Sequence, residues 1–452
     1  MSTKKIRTKN ITEFLDTDYK EYSMSVIEDR AIPSVIDGFK PVQRKIISMA
    51  DEIWKTGKEK GMKIFQLGGL ASSKKNYLHG DASMNDAITS MCQKFKNNIP
   101  LLTAEGQVGS LRSTHASSPR YVGCHLSENF RLVYKDFELL KGKEEEGMII
   151  EPCFFLPILP AVLLNGKSGI SVGFSSNVLN RNPKEVTQAC IDYLNGKKIK
   201  ELKPYQPEFT GTWKRDKENK NKWWIAGKYE IVNTTTVHVS ELPPDTTFEK
   251  YEAYLDSLVD KKIIKDYDNN ASVSIDYTLK FKREDLQKLI DEDRLESVLK
   301  IHDSDTENLT TIDENGKLKI FDCAEDILRY FVDFRLTWYQ KRKDYLINKY
   351  IEEYKNLSNK AKFIQHIIQK KLNVNNQPKI EIVKYLETNK FDKINDSFDY
   401  LIGMPIYSLT KERYAELLKQ CEEKKQLIAD TKKRDIRDMY IDDLNELKKK
   451  LK

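Results

Sequence analysis

ASSPRYVGCHL, residues 116–126, sets an arginine and a tyrosine side by side, Arg120 and Tyr121, in a run of small residues. A free phenol titrates at about pH 10 and is a weak nucleophile at neutral pH, so it needs a cation or a base beside it. The Arg120 guanidinium is permanently charged and can take a phosphate through two parallel hydrogen bonds. Ala116, Ser117, Ser118 and Gly123 leave room for a bulky backbone to approach. This pairing makes Tyr121 a candidate nucleophile for a phosphodiester. Taken alone it is a common dipeptide, and its meaning depends on the segments around it.

Upstream, RAIPSVIDGFKPVQRK (30–45) places Arg30, Lys40, Arg44 and Lys45 around a turn punctuated by Pro and Gly. YLHGDAS (77–83) sets His79 ahead of a Gly-Asp turn. Pro41 suits a first helical turn, and Val42, Ile46, Ile47, Ala50, Ile53 and Trp54 then share one helical side. Residues 82–95 repeat the arrangement with Met84, Ala87, Ile88, Met91 and Phe95, and Asp81 reads as the cap. Two short helices followed by a loop with a nucleophile fit a helix-turn-helix or winged-helix unit.

Residues 204–320 change character. TTTVHVSELP and NNASVSIDYTLKF alternate and are rich in Thr, Val and Ile, which predicts strands. Glu314-Asn315-Gly316 reads as a hairpin turn, and 214–222 as an exposed loop. From about 325 the chain turns helical and charged. Two arms of about 40 residues, each reaching about 60 Å at the helical rise, flank a small globule at 373–411 that holds Pro378 and Pro405. A dimer contact on that globule would draw on Tyr400, Leu401, Ile402, Met404 and Ile406.

The 452 residues suffice for about three domains. A net charge of +7 is compatible with a nucleic-acid partner without identifying one. The six cysteines form no Cys-x-x-Cys pair, so the chain reads as a reduced cytoplasmic protein with neither a disulfide framework nor a zinc site. No apolar run is long enough to span a membrane. Gly166-Lys167-Ser168 looks like the end of a phosphate-binding loop, but Ala161 stands where that loop needs its first glycine. Asp303, Asp305 and Glu314 have partial calcium-loop spacing without the turn glycine. No acidic cluster has metal-site spacing.

The tyrosine loop and the two upstream segments match, in order and spacing, the breakage-reunion region of type IIA DNA topoisomerases. The resemblance continues through VLLNGKSGISVGFSSN (162–177), the segment from Glu241 to Thr247, and LIGMPIYSLTKE (401–412), so it covers nearly the whole chain. Its length is similar to that of the smaller, DNA-cleaving component in split, phage-type members. The resemblance implies an α+β multidomain fold. Its parts are an N-terminal arm (1–24), a winged-helix breakage-reunion domain (25–145), a β-rich tower (146–324), coiled-coil arms (325–372 and 412–452) and a helical dimerisation globule (373–411). It implies a 5′-phosphotyrosyl link at Tyr121, with Arg120, His79, Arg30 and Lys40 around the scissile phosphate. Arg44, Lys45 and Ser83 would face DNA, with Ile170 wedged between base pairs.

The family's magnesium carboxylates and ATPase sit on another module. The resemblance therefore implies Mg2+ and ATP held by a partner subunit, no metal on this chain, a homodimer closed through the globule, and double-stranded DNA as substrate in the host bacterial cytoplasm. Tyr77 stands where bacterial members carry a second histidine. Ala82 stands at their inhibitor-linked serine, and ASSPRY is closer to the eukaryotic loop. No DNA-wrapping propeller follows residue 452, so relaxation of supercoils is expected. Two other readings remain: a DNA-clamping architectural protein that does not cut, and a nuclease that uses water in place of Tyr121.

Overall fold

The computed structural model describes residues 10–451 apart from 58, 146, 273, 375, 376 and 395. The expected basic arm at Lys4, Lys5, Arg7 and Lys9 lies outside the described residues. The segment after it is helical. Ile11–Phe14 (α1) and Lys20–Val26 (α2) are joined by a π-helical turn at Leu15–Tyr19, and a second such turn, Ile27–Ala31, follows. Ile27, Ala31 and Ile32 bury against Ile312 and Leu318, while Ile11, Phe14, Leu15, Tyr19, Tyr22 and Met24 stay exposed.

The centre of the first unit follows from three helices. Pro41–Ile53 (α3) starts on Pro41, and Gln43 Oε1 turns back to accept from the Lys40 N–H (3.2 Å). Its buried face carries Ile46, Ile47, Met49 and Ala50. Ile64–Lys74 (α4) is capped the same way by Gln66 on the Lys63 N–H (3.0 Å). Asp81–Cys92 (α5) buries Met84, Ile88 and Met91. Its N-cap is Gly80, and Asp81 is the first helical residue rather than the expected cap. There its carboxylate still complements the positive end of the helix dipole. A cross-strand trio closes the unit: Met62–Lys63 (β1), Leu102–Glu105 (β2) and Gly123–Leu126 (β3), antiparallel in the order β1-β3-β2. Helices followed by this small sheet form the expected winged-helix arrangement.

The 204–320 region mixes sheet and helix. One four-stranded antiparallel sheet runs Lys228–Asn233, Thr236–Glu241, Tyr277–Lys280, Asp266–Asn269 in spatial order. Helices Phe248–Asp260, Arg283–Asp291 and Leu295–Leu299 cover it around Val237, Val239, Tyr251, Leu255, Tyr277 and Leu279. A second sheet pairs Thr212–Arg215 with Lys222–Ala226 and His302–Thr306. The segment expected as one loop is thus a tight hairpin, with its turn only at 216–221. The Thr310–Ile312 and Leu318–Ile320 hairpin forms as expected, with Gly316 at φ +77° and Asp313 Oδ1 accepting from Asn315 N and Lys317 N.

The chain divides into two compact units, residues 1–335 with 443–452, and residues 336–442. A 45-residue helix, Ala324–Ile368, contributes to both. Within the second unit it runs antiparallel to Lys411–Lys433: Glu353 meets Lys424 at 2.5 Å, and Ala361 and Ile364 pack with Leu417. The second arm is not one continuous helix. Arg434 is extended (φ −66°, ψ 131°), and Asp435 Oδ1 accepts from Arg437 N (2.7 Å), which starts a new helix, Ile436–Lys450. The tip globule has its own core of Phe363, Leu372, Ile382, Leu386, Phe391, Phe398 and Leu401. Leu401 is therefore spent inside, not offered to a second copy. The Ile406 side chain lies outside the described residues.

Candidate nucleic-acid cleavage site

The first N–H groups of an α-helix have no partner within it. At α4 they are taken by the tyrosine loop: Ile64 N donates to Val122 O (3.0 Å) and Phe65 N to Pro119 O (3.3 Å). The loop closes on itself in a turn with Pro119 second, Tyr121 N donating to Ser118 O (2.9 Å). Lys63 Nζ donates to the Tyr121 carbonyl (2.8 Å). Val122 and Cys124, both buried, anchor the strand that follows. This backbone is pinned, while the Tyr121 ring is 70% exposed. Among the described residues neither its hydroxyl nor the Arg120 guanidinium has a hydrogen-bond or ion-pair partner.

A second group gathers at the opposite end of α4. Tyr77 N donates back to Ser72 O (3.1 Å), and the Tyr77 and His79 rings meet edge to face with centroids 5.2 Å apart. Burial raises the Tyr77 phenol above its ordinary pKa, and the nearby Arg30 charge works against that rise. Arg30, His79 and Ser83 are exposed. The 11 residues of α4 place this group about 15 Å of helix away from the tyrosine loop. One chain brings Arg30 near Tyr77 and His79, and sets Tyr121 beside Arg120, and among the described residues no hydrogen bond, ion pair or ring contact links the two groups.

The third group is a hairpin, Lys167–Ile170 paired with Ser175–Val178. Its position is set by Gly169, since a Cβ there would lie 2.1 Å from the Ala31 carbonyl oxygen. Lys40 Nζ donates to Ser168 O (2.6 Å). Ile170 is 89% exposed. A bare isoleucine on a rigid hairpin is what an intercalating wedge requires.

Two of the expected DNA contacts have partners inside the fold. Arg44 donates through Nε and Nη2 to Asp37 (2.7 and 3.1 Å), whose carboxylate is wholly buried and also accepts from Phe39 N and Phe155 N. Lys45 is buried, donating to Lys75 O (2.7 Å) and paired with Glu151 (3.0 Å). Lys45 thus holds the fold instead of facing solvent, while Arg44, held by Asp37, keeps part of its side chain exposed. His115 and His125 sit beside Glu249 (3.8 Å) and Glu105 (3.7 Å). Sequence reasoning missed Lys63, which no pattern marks, and Lys167, which stood out only as part of a failed phosphate loop. No group of His, Cys, Asp and Glu among the described residues has metal-ligand geometry. No helix among them is long and apolar enough to cross a membrane.

The family of the DNA gyrase/topoisomerase IV A-subunits matches residues 30–446. The DNA topoisomerase medium subunit of enterobacteria phage T4 is 32% identical over 98% of this chain and 100% of its own length. DNA topoisomerase 2 of Arabidopsis thaliana is 31% identical over 97% of the chain, which spans only 33% of that enzyme. Among solved structures, the DNA-binding, cleavage and re-ligation domain of Plasmodium falciparum topoisomerase II superposes with a TM-score of 0.84 at 31% identity. It covers 96% of this chain and 62% of that one. With an exposed tyrosine on a winged-helix loop and a coiled-coil arm beside these matches, the chain belongs to the family of DNA gyrase/topoisomerase IV A-subunits, as the DNA cleavage and religation component of a type II topoisomerase.

Proposed function

We propose that Tyr121 is the nucleophile of a transient double-strand break made with an ATP-dependent partner subunit, through which a second duplex passes and supercoils relax. The Tyr121 hydroxyl loses its proton and attacks phosphorus. The new P–O bond to tyrosine forms as the bond to the 3′ oxygen breaks, and that oxygen takes up a proton. The reverse step reseals the strand with no net loss of phosphodiester bonds. Negative charge grows on the non-bridging oxygens, where the Arg120 guanidinium can stabilise it. Arg30 and His79 supply further donors, and Lys40 holds the backbone beside the Ile170 wedge. Losing one such donor costs on the order of 10²–10³ in rate.

Among the described residues no group of His, Cys, Asp and Glu could hold a metal ion, and the steps above use only this chain's own side chains. Mg2+ and ATP are assigned to a large partner subunit, as in the split phage arrangement, acting in the host cytoplasm. The modules assigned are the winged helix (25–145), tower (146–324), coiled-coil arms, and a homodimer gate at 373–411.

The observation that carries this reading is the Tyr121 ring, held outward on a pinned backbone beside an arginine that has no partner among the described residues. The decisive experiment mixes the chain with partner subunit, Mg2+ and duplex DNA, then quenches with detergent. The native chain leaves protein bound to 5′ ends, and Tyr121→Phe binds DNA without leaving any. Free 5′ ends from the native chain would mean a nuclease, and no breaks at all a clamp.

A further inference from the structure

Lys167 lies two residues before Gly169 on the same strand, so both face the same side of the hairpin. That side packs on Ala31 and Lys40: a Cβ at Gly169 would be 3.2 Å from Lys40 Nζ. Lys167 and Lys40 therefore share one half-buried recess at the foot of the Ile170 wedge. Among the described residues neither ammonium has a carboxylate within ion-pair distance, and Lys167 has no side-chain hydrogen bond. The carboxylate that attracts Lys167 is Asp37, and Asp37 is already bound by Arg44 and two backbone N–H groups. The paired strand Ser175–Val178 brings no charged group. Asp305, which approaches that strand, is engaged by Asn177 Nδ2 (2.8 Å). Two like charges half out of water with no counter-ion are unfavourable in the free protein. An arriving anion relieves both costs.

We infer that Lys167, together with Lys40, forms a clamp for a DNA backbone phosphate at the base of the wedge, and that Lys167 is a DNA-positioning residue of this chain. The inference rests on the reading that this face takes duplex DNA. A phosphate is the fitting ligand because it is a diffuse anion that two ammoniums can share from either side. The adjacent exposed Ile170 requires the backbone at that point to be held while the stack opens.

Proton linkage gives the clamp a signature. Burial, with the Lys40 charge added, pushes the Lys167 ammonium down to about 8 in the free protein. A bound phosphate raises that value. Below it Lys167 is charged both free and bound, and affinity is flat. As pH rises past about 8, binding must recruit a proton and affinity falls.

The test is fluorescence anisotropy of a labelled linear duplex with the full chain, over salt and between about pH 7 and pH 9. Lys167→Met is expected to weaken binding about tenfold at neutral pH and to lower the slope of log affinity against log salt by about 1. Lys167→Arg, which stays charged, is expected to bind as the native chain at neutral pH and to lose less affinity on the alkaline side. In the absence of DNA, Lys167→Met removes an unpaired charge, so its melting temperature stays level or rises. A lower melting temperature would mark a structural lysine and overturn the proposal. So would native affinity, salt slope and pH profile in Lys167→Met while Ile170→Ala still weakens binding. If the native chain itself fails to bind duplex, the reading of the whole face falls, and that outcome is distinct from the other two.

Discussion

Asp37 shows how much of a site lies in one carboxylate no motif marks. It is fully buried, yet it accepts from the Arg44 guanidinium and from the N–H groups of Phe39 and Phe155. It fixes the turn from which Lys40 emerges and ties it to residue 155. Removing one member of such a pair leaves the other buried and uncompensated, at a cost of about 3–5 kcal/mol. Asp37→Ala is therefore expected to lower unfolding free energy by that amount in urea titrations, and a loss below about 1 kcal/mol would show that the turn holds without it. At this scale Tyr121 and Ile170 were legible because family motifs carry them and both proved exposed. Lys45 was misread because charge was given precedence over phase. Lys45 falls three residues after Val42 and four before Met49, on the inner stripe of α3, where burial demands a carboxylate partner.

Among the elements, the 167–178 hairpin depends on a single missing Cβ. Its first strand lies so close to Ala31 that any side chain at 169 meets backbone, not a flexible tip. Gly169→Val should lift the hairpin, break the Lys40 to Ser168 contact and destabilise the protein by about 1–3 kcal/mol, the range for overpacking. Calorimetry reads the stability, and the bend angle of bound duplex, followed by energy transfer between its ends, should relax with it. Unchanged stability would mean that the strand is free to shift. Some elements escaped the sequence reading for related reasons. Helix α4 carries Gly68-Gly69 in its middle, a pair that costs helix propensity. Gly68 is kept because Asn85 Oδ1 would lie 2.5 Å from a Cβ there, so close packing of α4 on α5 overrides propensity. The helices of the tower were hidden by the stronger alternation of its strands. The break at Arg434 was hidden by unbroken charge on both sides of it.

For the whole molecule, the governing fact is the separation along α4. Tyr121 and Arg120 sit at its N-terminal end, and Arg30 with His79 beyond its C-terminal end, about 15 Å of helix apart. The family resemblance implies that they surround one scissile phosphate, and motif order carries no distance. In a two-fold dimer the requirement can be met across protomers, with each scissile phosphate approached by the tyrosine of one copy and the histidine and arginine of the other. Mixed dimers decide it. In a dimer of Tyr121→Phe with His79→Ala, the across-protomer arrangement puts both defects in one site and leaves the other site native. Refolded mixtures would then regain single-strand cleavage near the native rate of one site, while each homodimer stays impaired. Sites built within one chain would leave both halves of the mixed dimer defective. The measurement is nicked plasmid with one covalently bound protomer after detergent quench. Absence of nicking above the His79→Ala homodimer level would rule out the across-protomer arrangement.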